Sequence, residues 1–164
     1  MPSDPQNFWN FSLQLYDRPG VASACLELQD AHRLDVNLLL FCFWHASAYG
    51  TVDRELLQKV VAFSSEWRTH LVQPLRSTRQ WMKLNSSSDK QFDDLREQIK
   101  ASELMGEKLQ QEKIASLTSA FWQEREYQLS HEDIDRNIDR LLQALGIERI
   151  DAINSRLRAI RGAV

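Results

Sequence analysis

The chain has 164 residues, 43% of them hydrophobic and 26% charged, the makeup of one globular domain able to bury a core without disulfides or a structural metal. A formal net charge of -3 at pH 7 argues against nucleic-acid binding by the chain as a whole and leaves only local basic patches open. Its two cysteines, Cys25 and Cys42, sit in apolar helical patterns, which excludes a disulfide scaffold, and no Cys-x-x-Cys spacing offers a metal site.

Met1 to Asn7 contains neither a basic region nor a long apolar run, so no signal peptide is read there. Phe8, Phe11/Ser12 and Leu15 keep helical spacing and predict a short helix from about Pro5 to Asp17. Pro19 suits the first turn of a second helix, whose buried stripe is Val21, Ala24, Cys25 and Leu28. Asp35 reads as the N-cap of a third, because it places a short acceptor directly before an apolar run. Leu38 to Trp44 leaves little room for a polar face, which marks residues 36–49 as a central buried helix ended by Gly50. The same run is far too short to span a membrane. Thr51 is the expected cap of a fourth helix, with Asp53 in its first turn and Leu56, Leu57, Val60 and Val61 on its apolar face. Helical spacing resumes at Trp67, Leu71, Leu75, Thr78 and Trp81/Met82, and Pro74 predicts a kink or two helices meeting near Gln73.

Asn85-Ser-Ser-Ser-Asp89 is the clearest linker. It divides a helical core at 5–84 from a charged helical part at 90–164 expected to pack on that core. Phe92, Leu95 and Ile99 begin a heptad-like seam that decays at Ser102, Gly106 and Lys113, which favours a long solvated helix over a sustained coiled coil. A new apolar face starts at Ile114, Leu117, Phe121 and Trp122. Ser130 caps a further helix with the stripe Ile134, Ile138, Leu141, Leu142 and Leu145, closed by Gly146. Ile150, Ile153, Leu157 and Ile160 give the last one. The fold class read from this pattern is all-α: a multi-helix bundle around 36–49 with a longer charged helical C-terminal extension.

Chemistry is harder to find. None of His32, His45, His70 and His131 pairs with another at the i, i+4 spacing that puts two metal ligands on one helix face. Asp93-Asp94-Leu-Arg-Glu97 resembles half of the acidic Mg²⁺-diphosphate motif of all-α isoprenoid synthases. Carboxylates in a helix's first turn are explained by the macrodipole, as are Asp133, Asp135 and Asp139. Arg68, Arg76, Arg79 and Lys83 interleave with Trp67 and Trp81 and form a candidate basic surface for RNA or phosphate. In that segment the tryptophans fall on the helical stripe and are expected to face the core, leaving the arginines as a solvated face. Arg156, Arg158 and Arg161 end the chain at a helix C-terminus, where cations offset the dipole. No nucleophile elbow, phosphate-binding glycine loop or dinucleotide fingerprint occurs.

Phe8-Trp9-x-Phe11-Ser12-Leu13-x-Leu15-Tyr16, Pro19-Gly20-Val21, Ala24-Cys25-Leu26-x-Leu28-Gln29-Asp30 and Asp35-Val36-Asn37-x-Leu39-Leu40-Phe41-Cys42-x-Trp44 form a block. It is similar to a proteobacterial family of small hypothetical proteins classed as a domain of unknown function. The resemblance runs over roughly residues 7 to 115 and implies a bacterial, cytosolic, helical protein with no activity attached. Inside the block, Asn37 lies one turn into a buried helix and needs hydrogen-bond partners. With Asp30, Asp35 and His45 it marks a candidate polar pocket.

The leading reading is a cytoplasmic helical adaptor or regulatory module that works through apolar and charged helix faces. Its partner is expected to be a protein, with a homo-oligomer open and nucleic acid disfavoured. No cofactor, metal or catalytic residue is assigned. The alternatives are an enzyme or small-ligand binder at Asp30, Asn37 and His45, and RNA or phosphate binding along Arg68 to Lys83.

Overall fold

A computed structural model describes residues 7–86, 88–121 and 130–164. Pro5, Gln6, Ser87 and Trp122 lie outside the described residues. Among those described, every regular element is helical: α1 (Asn7–Tyr16), α2 (Val21–His32), α3 (Val36–Tyr49), α4 (Arg54–Trp67), a π-helical turn (Arg68–Val72), α5 (Gln73–Leu84), α6 (Lys90–Ser119), α7 (His131–Leu145) and α8 (Asp151–Arg161). None of these helices is long and apolar enough to cross a membrane.

Short polar side chains set several of the starts. Asp35 caps α3 by accepting from the Asn37 N–H at 2.9 Å, and Ser130 caps α7 by accepting from Glu132. Two expected starts differ. Pro19 precedes α2 rather than opening it, because Gly20 takes up a left-handed turn at φ 81° as the N-cap. Asp53, not Thr51, caps α4: its Oδ1 accepts from the N–H groups of Glu55 and Leu56. Thr51 is engaged elsewhere, donating to the Asp133 carboxylate on α7.

The chain folds as two compact units, one from the described residues of 1–61 and 111–164 and one from 62–110. The boundaries fall inside α4 and α6, whereas Asn85 and its neighbours form the turn between α5 and α6. In the first unit α3 is the core, as expected: every side chain from Asn37 to Ala46 is buried. α7 packs most closely on α3, α8 on α2, and α1 covers α3 as well. Phe8 stacks on Trp44 at 4.8 Å between ring centroids and meets Phe41 edge-on at 6.3 Å. Burial of each such ring contributes roughly 2–3 kcal/mol of transfer free energy, which makes this cluster a main source of the unit's stability.

In the second unit, the π-helical turn decides which residues face inward. The Gln73 N–H reaches back five residues to the Arg68 carbonyl, so the turn holds one residue more than an α-helical one. Pro74 follows in the first turn of α5, where its missing N–H does no harm. The extra residue shifts the helical phase by about 100°. The buried positions become Val72, Arg76 and Met82; Leu71, Leu75 and Arg79 are half-buried, Thr78 and Trp81 are exposed, and of the pair Trp81/Met82 it is Met82 that faces inward.

The expected assignment of this segment is therefore corrected. Arg76 is only 9% exposed while Trp81 is 59% exposed. Trp67, half-buried, donates its indole N–H to the Gly106 carbonyl at 2.9 Å. A Cβ on Gly106 would sit 3.4 Å from Leu71 Cδ2 and 3.6 Å from Val72 Cγ2, so the hydrogen at this position lets α6 lie close to the π-helical turn.

Candidate functional site

Asp30 and Asp35 end or begin helices at the surface of the first unit, with Asp30 exposed and Asp35 half-buried in its cap. Asn37 is buried and accepts a hydrogen bond from the Gln111 side chain on α6 at 2.8 Å. His45 lies eight residues further along α3, about 12 Å along the axis at 1.5 Å per residue. It bonds a different partner, the Gly50 carbonyl at 2.9 Å. The structure thus brings Asn37 to Gln111 and His45 to Gly50, with Asp30 exposed near the end of α2. Among the described residues, no group of three His, Cys, Asp or Glu side chains could hold a metal ion.

The polar cluster that the fold does assemble is built around the loop after α3. Gly50 takes φ 80°, a conformation L side chains rarely adopt, and this turns its carbonyl inward. His45 Nδ1 lies against that oxygen, which fixes the tautomer with the proton on Nδ1, since a carbonyl can only accept. Asn137, fully buried on α7, donates to the same Gly50 oxygen at 3.1 Å and to the Cys42 carbonyl at 3.3 Å, and its Oδ1 accepts from the Val52 N–H at 2.7 Å. Cys42 donates its thiol to the Asn137 carbonyl at 3.5 Å. Asp133 and Arg140, one turn to either side of Asn137, take the Thr51 hydroxyl and the Val52 carbonyl. One edge of α7 clasps residues 50–52 by hydrogen bonds that leave no polar atom of Asn137 unpaired.

The sequence carried one sign of this. Asn137 stands three residues after Ile134 and four before Leu141, a polar residue on an apolar stripe that needs buried partners. Its partners lie more than 80 residues away in sequence, so spacing could not name them.

The chemistry of this cluster is structural. Burial pushes the Cys25 thiol up to about 12 and the Cys42 thiol higher still, so neither supplies a thiolate. His45 is packed edge-on against Phe41 at 5.5 Å and near Tyr49 at 5.3 Å. Burial lowers its pKa below the ordinary 6.5, outweighing the opposing effect of the Gly50 bond. The native state therefore resists protonation that the unfolded chain accepts near 6.5. Stability contributed by neutral His45 is full above that value and is lost as pH falls from it toward the lower native pKa. Urea midpoints measured at pH 7.5 and pH 5.5 are expected to differ in that direction, and His45→Gln should flatten the difference. An unchanged pH slope in the variant would assign it to other groups.

The four basic candidates are dispersed by the second unit's packing. Arg76 donates to Glu103 at 2.8 Å and to Glu107 at 2.6 Å, and Arg79 binds the other Glu103 oxygen at 2.5 Å. Arg68 is half-buried and Lys83 exposed. For Glu103, burial would raise the pKa, but the bonds from Arg79 and Arg76 and their charges together hold it below the usual glutamate value.

Residues 7–114 match the family described as "Protein of unknown function (DUF2390)". The chain belongs to this family. Comparison with curated proteins and with solved structures gives no match. The DUF2390 match spans α1 to α5 and most of α6 but stops short of α7 and α8. Asn137, Asp133 and Arg140, which clasp the end of α3, thus come from beyond the DUF2390 segment they hold.

Proposed function

We propose that this DUF2390 protein is a protein-interaction module whose 62–110 unit docks an amphipathic helix of a partner protein. The supporting observation is large apolar side chains left in solvent on that unit: Trp81, Leu84 (85% exposed), Leu95, Leu104, Met105 and Leu109. Leu95, Met105 and Leu109 recur at near-heptad spacing on one side of α6, the pattern that takes an apolar seam from a second helix. Charges of both signs flank them, Asp94 and Glu97 with Lys100 and Lys108, which suits a partner helix of mixed charge.

In-cell crosslinking of the tagged full-length chain in its source organism, followed by purification, tests the reading. A stoichiometric partner is expected with the natural chain and absent with Met105→Glu plus Leu109→Lys. Both positions are exposed, so the variant's helicity and unfolding midpoint are expected to match. A clean monomer from source cells, or a complex that survives the double substitution, would overturn the proposal.

A further inference from the structure

A separate observation concerns α7, α8 and the segment between them. Asp135, Arg149, Asn154, Leu157, Arg158 and Arg161 line a cleft of about 360 Å³, within the roughly 300–1,000 Å³ range of small-molecule sites. Three guanidinium groups converge there from two parts of the chain: Arg149 precedes α8, whereas Arg158 and Arg161 lie in its last turn. Dipole compensation accounts for cations at a helix C-terminus, and so for Arg158 and Arg161, but not for Arg149.

The local ion pairs leave a positive surplus. Arg161 binds Asp135 at 2.5 Å, and Arg149 binds Asp139 with Asp135 4.0 Å away. Asn154 accepts from Arg149 Nε at 2.5 Å, which orients that guanidinium. Arg158 is exposed and makes no ion pair or side-chain hydrogen bond with a described residue. Three cations thus face two carboxylates, and one whole guanidinium fork remains available. We propose that this cleft binds a small phosphorylated molecule, with Arg158 gripping the phosphoryl oxygens and Arg149 and Arg161 framing them. A guanidinium matches two phosphoryl oxygens at once, and the cleft exceeds a bare phosphate, leaving room for an organic group beside it.

The test titrates the isotope-labelled full-length chain with inorganic phosphate, then with phenyl phosphate, against sodium chloride of matched ionic strength and against acetate. Saturable shifts are expected at the Nε–H resonances of Arg149, Arg158 and Arg161 and at the Asn154 side chain, with phenyl phosphate binding more tightly. Arg158→Gln is expected to weaken both phosphates about tenfold, the loss of one charge-assisted contact. Because Arg158 is exposed and holds no described partner, its melting temperature should not change. Shifts reproduced by chloride, equal affinity for acetate, or undiminished binding by Arg158→Gln would each overturn the assignment. None of these outcomes bears on the 62–110 unit, so the two proposals fail separately.

Discussion

Asn137→Ala is expected to destabilise the first unit by about 3 kcal/mol, from an unpaired buried N–H plus a small cavity. The Val52 N–H loses its acceptor at 2.7 Å, while the Gly50 carbonyl keeps His45. Asn137→Leu separates the two causes. It refills the space with an apolar side chain of similar size, yet leaves the same N–H unpaired, so it should recover only the cavity part. Urea unfolding at pH 7.5 reads the size of the loss. Hydrogen exchange of the Val52 amide reads its place, with protection expected to fall in both variants. A leucine variant as stable as the natural chain would mean that the 50–52 loop holds itself without α7.

Glu103→Ala is the second large effect, a loss of about 3 kcal/mol confined to 62–110, at the low end for a broken buried ion pair. Arg76 is almost buried and keeps Glu107 at 2.6 Å, whereas Arg79 is about a quarter exposed and can be rehydrated. Glu103→Gln retains the shape and should lose less. The pH dependence follows from the depressed native pKa: stability from Glu103 is present above its unfolded value of about 4.5 and is lost as pH falls through the lower native one. Hydrogen exchange along α5, compared at pH 6 and pH 4, checks both. Protection in α5 that is equal in Glu103→Ala and the natural chain would show that the carboxylate does not hold the two helices.

The helix ends were largely readable because caps act over two or three residues. Asp35, Ser130, Gly50 and Gly146 each do what their local chemistry predicts. Ile134, Ile138, Leu141 and Leu142 on α7 and Ile153, Leu157 and Ile160 on α8 are buried as read, whereas Leu145 is half-buried and Ile150, which stands outside α8 as its N-cap, is exposed. Thr51 escaped because its partner, Asp133, lies 82 residues away, beyond the reach of any capping rule. The site was less legible for the same reason: the need for partners at Asn37 and His45 was visible, but Gln111 and the Gly50 loop were not. Arg76 and Arg79 looked like a free cationic surface because Glu103 and Glu107 enter only when α6 folds back within the 62–110 unit.

The π-helical turn at Arg68–Val72 also gives chain length a meaning of its own. The turn absorbs one supernumerary residue, so everything from Gln73 to Leu84 keeps the orientation it would have in a chain one residue shorter. Remove one position from the turn, and an ordinary α-helical turn would still aim Arg76 at Glu103 and leave Trp81 in solvent. Keep the length but close the turn with α-helical bonds, and α5 would rotate by about 100°. Relatives one residue shorter here would then present the same surface, because the wider turn takes up the difference in length.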